Sequence, residues 1–212
     1  KQALVFGTAG FLEQQPSDDY QLQLTNEWRF QRARLSIQAA KKESWKFKGC
    51  RPPGFPTIRL AQFANFIHRM DWSEAFWELP TRQLLDAMYS ALLARIDAYW
   101  LNHVNFGIVK KDKVSTAMSK ATAQLIILNS IVPFLFWLSK HLANSAYREK
   151  GLEILEMLPA EKNVRLDYWK QIGIEAKSAA DAQGLLELLS QWCEKKLCLK
   201  CRVGQHTLGQ KQ

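Results

Sequence analysis

Apolar residues recur every three or four positions along most of this chain, the spacing that lines one side of an α-helix. Lys1 to Leu12 reads as a helix end loosened by Gly7 and Gly10. After Pro16, Ser17 or Asp18 is placed to cap a helix from about Asp19 to Ile37, because a short acceptor side chain there takes a free backbone N–H. Tyr20, Leu24, Trp28 and Leu35 are its expected buried positions. Pro52, Pro53 and Pro56 make Cys50 to Pro56 a rigid loop, since proline fixes φ and lacks a donor. Thr57 is the expected cap of the next helix, which runs to Met70 with Leu60, Phe63, Ala64 and Ile67 inside. A short aromatic helix over Trp72 to Trp77 follows. Pro80 then opens a helix to about Trp100, with Leu84, Leu85, Met88, Leu92, Ile96 and Tyr99 on one stripe. Asn102 to Lys113 reads as a loop.

The second half continues in the same period. A helix over about residues 116–141 is apolar on most sides from Leu125 onward, which makes it the expected central helix, and Pro133 should kink it. Ser145 is the expected cap of a helix to Met157, ended by Leu158-Pro159. A helix from Val164 to Ile172 stops at Gly173. Ser178-x-x-Asp181 has the form of a capping box and opens a last helix whose Ala182, Leu185, Leu186, Leu189 and Cys193 share a face. No strand alternation or internal repeat stands out. The expected class is all-α: a multi-helix orthogonal bundle around the 116–141 helix, a single helical domain over residues 1–204, then a flexible tail over 205–212. The chain opens at Lys1 in apolar sequence, and it is expected to be a fragment of a longer protein.

Composition narrows the class. With 47% apolar and 23% charged residues, 212 residues can bury a core. The run from Leu125 to Leu138 is shorter than the ~20 apolar residues of a membrane span and carries Asn129, Ser130 and Pro133, so it reads as core. Four cysteines, three of them clustered, without a signal sequence point to a reducing cytoplasm. The net charge of +9 favours an anionic partner. No phosphate-binding glycine loop, HExxH or nucleophile elbow occurs, and this argues against an enzyme. Glu161, in Leu158-Pro-Ala-Glu161-Lys-Asn163, is the one acid in a loop of note, and a helix-joining turn accounts for it.

Two stretches carry chemistry. From Arg29 to Arg51, eight basic residues stand against Glu43 alone, with Trp45 and Phe47 interleaved. Such alternation can pair phosphates and stack bases, or it can be a solvated connector with its aromatics tucked into the core. Lys41, Lys42, Lys46, Arg51 and Arg59 are the candidate nucleic-acid or anion contacts, Arg51 and Arg59 lying near the start of a helix. At the other end, Cys193-x4-Cys198-x2-Cys201 offers three thiols for zinc or an iron–sulfur cluster, with Cys50 or His206 as the fourth ligand. Lys195, Lys196, Lys200 and Arg202 should favour the thiolates. The alternatives are buried structural cysteines and a redox pair.

Several phrases together resemble one family: Phe6-Gly7-x-Ala9-Gly10-Phe11-Leu12, Arg51-Pro52-x-x-Phe55-Pro56-x-x-Arg59-x-Ala61-Gln62, and Asn129-x-x-x-Pro133-x-Leu135-Phe136. Leu158-Pro159-x-Glu161-x-Asn163, Gln183-Gly184-Leu185-Leu186 and Cys198-Leu199-x-Cys201-x-x-Gly204 complete the set. They resemble the C-terminal half of an uncharacterised bacterial family known as a domain of unknown function. The resemblance implies that the late cysteines belong to the family pattern and that Cys50 does not. It also implies that longer members carry an N-terminal half similar to restriction-endonuclease-like nucleases. Three functions follow as expectations: a non-catalytic helical domain that binds nucleic acid or supports that nuclease-like half; an interaction module packing on the missing half through exposed Leu4, Val5 and Phe6; or an enzyme holding an anionic small molecule between Arg51, Arg59 and Glu161.

Overall fold

A computed structural model of the chain describes residues 1–41, 45–50, 54–112 and 116–209. Its contacts gather into two compact units, Lys1–Ala123 and Gln124–Gln212. The described residues are mostly helical, with one small two-stranded sheet.

The first unit is built on α1 (Gln2–Thr8), α2 (Asp19–Leu35), α3 (Pro56–Arg69), α4 (Glu74–Glu78) and α5 (Thr81–Leu93). Helix α1 packs on α2 and α3, and α3 packs on α5. Its first turns are the hub of a core that includes Phe6, Phe11, Trp28, Ile58, Ala61, Ile96, Trp100 and Phe106. Phe6 is fully buried and stacks on Trp100 with ring centroids 5.4 Å apart. Of the expected apolar edge, Phe6 is inside the unit, while Leu4 and Val5 are half-buried. Gly7 makes the α1–α2 approach possible, because a Cβ there would sit 2.0 Å from Cδ2 of Trp28.

The boundaries differ from expectation where tertiary partners compete. Asp18 does cap α2, but Leu35 is exposed. Helix α3 begins at Pro56 behind Phe55, and Thr57 is no cap: it is buried and its hydroxyl donates to the Val104 carbonyl at 2.6 Å. The buried face of α3 is Ile58, Ala61, Gln62, Ala64 and Phe66, while Phe63 stands out in solvent. The helix from Pro80 ends at Leu93, and Tyr99 and Trp100 sit on a separate 3₁₀ turn, Ala98–Leu101. The expected loop contains an antiparallel hairpin, β1 (His103–Asn105) with β2 (Ile108–Val109), whose strands are too short to show alternation.

The second unit carries the continuation of α6 (Lys120–Ile126), then α7 (Val132–His141), α8 (Ser145–Met157), α9 (Val164–Gln171), α10 (Ala179–Leu188) and α11 (Arg202–Gly209). Pro133 has no N–H and its ring crowds the carbonyl four residues back. The chain answers by widening into a π-turn over Ile127–Ile131, and Asn129 Nδ2 donates to the Leu125 carbonyl at 2.9 Å. Among the described residues, Lys120–His141 is the one helix long and apolar enough to cross a membrane by composition, and 33% of its most apolar window is buried. Ile127, Leu128, Ile131, Val132 and Leu135 are buried, while Leu125, Phe134 and Trp137 are exposed. Asn144, not Ser145, caps α8, its side chain accepting from the Ala146 N–H. The Ser178/Asp181 capping box of α10 forms as the sequence indicates.

Candidate functional site

The basic connector lies along the core of the first unit. The Ala40 N–H donates to the Thr8 carbonyl at 2.7 Å, and Trp45 Nε1 donates to the Ala9 carbonyl at 2.8 Å. The Trp45 ring lies 5.9 Å from Phe11, and Phe47 makes edge contacts with Phe11 and Phe55. Trp45 and Phe47 are half-buried against the core, while Lys46 and Lys48 are exposed, Lys48 in a turn closed by the Cys50 N–H donating to the Phe47 carbonyl. The aromatics that could have stacked bases pack half-buried against the core. Lys41 is also exposed. Lys42 and Arg51 lie outside the described residues. Arg59 is exposed on α3, where its guanidinium donates to Gln62 Oε1 at 2.9 Å. Gln62 is buried and donates in turn to the Thr116 carbonyl.

The polar cluster that sequence reasoning missed surrounds Asp18. Besides capping α2, its carboxylate accepts from the Tyr99 hydroxyl at 2.5 Å and from the Gly107 N–H at 2.8 Å. Tyr99 is stacked between Tyr20, 4.0 Å away, and His103, 3.8 Å away. Burial opposes the charge on Asp18, but the donors Tyr99, Gln21 and Gly107, with attraction from His103, together hold its pKa below the ordinary value. Burial first, then nearby carboxylates, push both tyrosines up, so they remain protonated donors. This cluster ties the start of α2 to the 3₁₀ turn and the hairpin. Only the cap was readable in sequence, because Tyr99 and Gly107 follow Asp18 by 81 and 89 residues.

In the second unit, Cys193 closes a π-turn, Leu189–Cys193, and Cys198 opens a 3₁₀ turn, Cys198–Lys200. The π-turn shifts the helical phase, and Cys193 is exposed instead of sharing the buried face with Ala182. Cys198 is exposed and Cys201 half-buried, so a core role for the three thiols falls away. Burial, then the neighbouring Cys201 and Cys198, push the Cys193 thiol up; the expected lowering by nearby lysines does not occur there. Among the described residues, no group of three or more His, Cys, Asp or Glu side chains is gathered closely enough to hold a metal ion. Cys50 belongs to the first unit, its Sγ 3.7 Å from the Lys46 carbonyl. His206 is exposed on α11.

Glu161 lines an open cavity of about 600 Å³ with Lys162, Asn163, Asp167, Lys170 and Lys177. Its Oε1 accepts from Asn163 Nδ2 at 3.0 Å, and Asn163 also caps α9. The described lining comes from residues 160–185, all within the second unit.

A family model described as "Protein of unknown function (DUF2851)" matches residues 1–164. The phrases at Gln183–Leu186 and Cys198–Gly204 lie beyond that match. No curated protein and no solved structure matches.

Proposed function

We propose that this chain, which belongs to the family of unknown function DUF2851, is a non-catalytic helical module that binds nucleic acid through its basic connector. The observation that carries the reading is the alternation of burial at residues 45–48: Trp45 and Phe47 pack half-buried on the core, and Lys46 and Lys48 are exposed. Lys41 precedes them, also exposed, and Lys42 and Arg51 extend the basic run in sequence. Arg59 would reinforce phosphate contacts from α3. With the rings turned inward, recognition rests on phosphate, so affinity is sensitive to salt and indifferent to sequence. In a longer protein with a nuclease-like half, such a module would hold the strand for cleavage elsewhere.

Fluorescence anisotropy of a labelled duplex against salt concentration is the test. Each neutralised phosphate steepens the log–log slope by ~0.9. Replacing Lys41, Lys46 and Lys48 with Gln should flatten the slope by about 2–3. Absence of binding at low salt, or an unchanged slope in the triple variant, overturns the reading.

A further inference from the structure

The second unit presents two thiols on one short turn. The chain passes the unit's small core at Leu189, and Cys198 and Cys201 then flank the 3₁₀ turn Cys198–Lys200. The Cys201 N–H donates to the Leu197 and Cys198 carbonyls at 3.0 and 3.2 Å, and the Lys200 N–H donates to the Leu197 carbonyl at 3.0 Å. Helix α11 holds the other side. The Gln205 N–H donates to the Cys201 carbonyl at 2.8 Å, and Gln205 Nε2 donates to the Leu199 carbonyl at 2.7 Å. Gly204 lies against the turn, where a Cβ would overlap the Cys198 carbonyl. The backbone between the two thiols is therefore fixed from both ends.

That turn sets the spacing of the pair. A 3₁₀ turn takes three residues and rises ~2.0 Å per residue, so residues i and i+3 are eclipsed with Cα atoms about 6 Å apart. Disulfides span Cα separations of roughly 4.4–6.8 Å, and the Cys198–Cys201 step falls inside that window. Cys198 is exposed and Cys201 half-buried, so the first is the more accessible to a reagent in solution. Cys193 stands five residues before Cys198, beyond the left-handed Lys196 (φ 54°), and no single turn sets it against either thiol. Burial, then Cys201 and Cys198, push the Cys193 thiol up, and a thiol kept protonated is a poor nucleophile.

We infer that Cys198 and Cys201 form a reversible dithiol–disulfide site whose substrate is a low-molecular-weight disulfide. The Cys198 thiolate attacks one sulfur of that disulfide, forms a mixed disulfide and expels the first small thiolate. The Cys201 thiolate, one turn away, then attacks Cys198 Sγ and expels the second. Two protein thiols are oxidised to one disulfide, one small disulfide is reduced to two thiols, and the two cysteine protons pass to the departing thiolates. The turn supplies proximity: its backbone is already set, so the second step is intramolecular and needs no rearrangement of the chain. The site is independent of the basic connector.

The experiment equilibrates the full reduced chain, without oxygen, in graded mixtures of oxidised and reduced glutathione, then alkylates the remaining thiols and maps the products by peptide mass spectrometry. The expected product is one intrachain disulfide joining Cys198 to Cys201, with Cys50 and Cys193 alkylated, and Cys193→Ser should form it equally well. Cys201→Ser should accumulate a stable glutathione adduct on Cys198. The matching adduct on Cys201 in Cys198→Ser should form more slowly, because that thiol is half-buried. The equilibrium constant for the native chain should exceed that of the urea-unfolded chain by about tenfold or more, since an unfolded Cys-x2-Cys lacks the preset turn. Gly204→Ala should lower it toward the unfolded value, because its methyl displaces the Cys198 carbonyl. Gly184→Ala, with nothing within 4 Å of the added carbon, should leave it unchanged and serves as the folding control. Alkylation of all the thiols in the oxidising mixtures overturns the inference, as does a disulfide that requires Cys193. Equal constants for native and unfolded chain, or an unchanged constant in Gly204→Ala, overturn the role of the turn.

Discussion

Replacing Asp18 with Ala should destabilise the first unit by about 3 kcal/mol. The carboxylate does three things at once: it caps α2 through the Gln21 N–H at 2.7 Å, and it receives the Tyr99 hydroxyl and the Gly107 N–H. Loss of an N-cap costs ~1 kcal/mol. A hydrogen bond to a charged group contributes ~1.5–3 kcal/mol, and half-exposure of Asp18 argues for the lower end in one contact and less in the other. Asn at the same position keeps a cap acceptor and loses the charge, so it should lie between wild type and Ala. Because the folded pKa is held below the ordinary aspartate value of 3.8, the unfolded state binds the proton first as pH falls. The contribution of the charge is therefore present above about pH 4 and is lost as pH drops through the folded pKa. Urea unfolding followed by tryptophan fluorescence, repeated from neutral to acid pH, measures this. The gap between wild type and Asp18→Asn should be constant near neutrality and close in acid. An Ala variant within ~0.5 kcal/mol of wild type, the scatter of an ordinary surface change, would refute the reasoning. So would a gap that does not depend on pH.

The other tests use the same logic. Ala normally favours a helix over Gly by ~1 kcal/mol, and exposed Gly184→Ala in α10 should follow that rule in thermal melts; Gly7→Ala should reverse it by ~1–3 kcal/mol or more, because its Cβ meets the Trp28 ring. Trp45→Ala should cost ~2–3 kcal/mol in stability, below the range for fully buried tryptophan because the ring is half-buried. At temperatures where that variant stays folded, its DNA affinity should be unchanged; a loss of ~1–3 kcal/mol would mean that Trp45 stacks a base. The lysine slopes complete the set.

Much of the local structure was legible in the chain itself. The period of apolar residues, the Asp18 cap, the Ser178/Asp181 capping box and the terminating Gly173 each depend on residues within a turn of one another. Pro133 announced a disturbance in the long apolar helix, though not that a π-turn would absorb it. The cysteine spacing was visible as well, while the exposure of Cys193 was not, because one π-turn changes which face a residue occupies.

What the sequence determined alone was the class: a mostly helical chain with a basic connector and a late cysteine cluster, since composition and periodicity are local properties. The tertiary structure decided which side of each element faces inward. Helix α3 turned Phe63 out and Gln62 in because Gln62 finds the Thr116 carbonyl 54 residues away. Thr57 gave up capping for a buried bond to Val104. Trp45 and Phe47 could have been read as a stacking platform until the Ala9 carbonyl and the Phe11 ring claimed them. In each case a partner remote in sequence, close only after folding, offered burial or a hydrogen bond that no local pattern encodes.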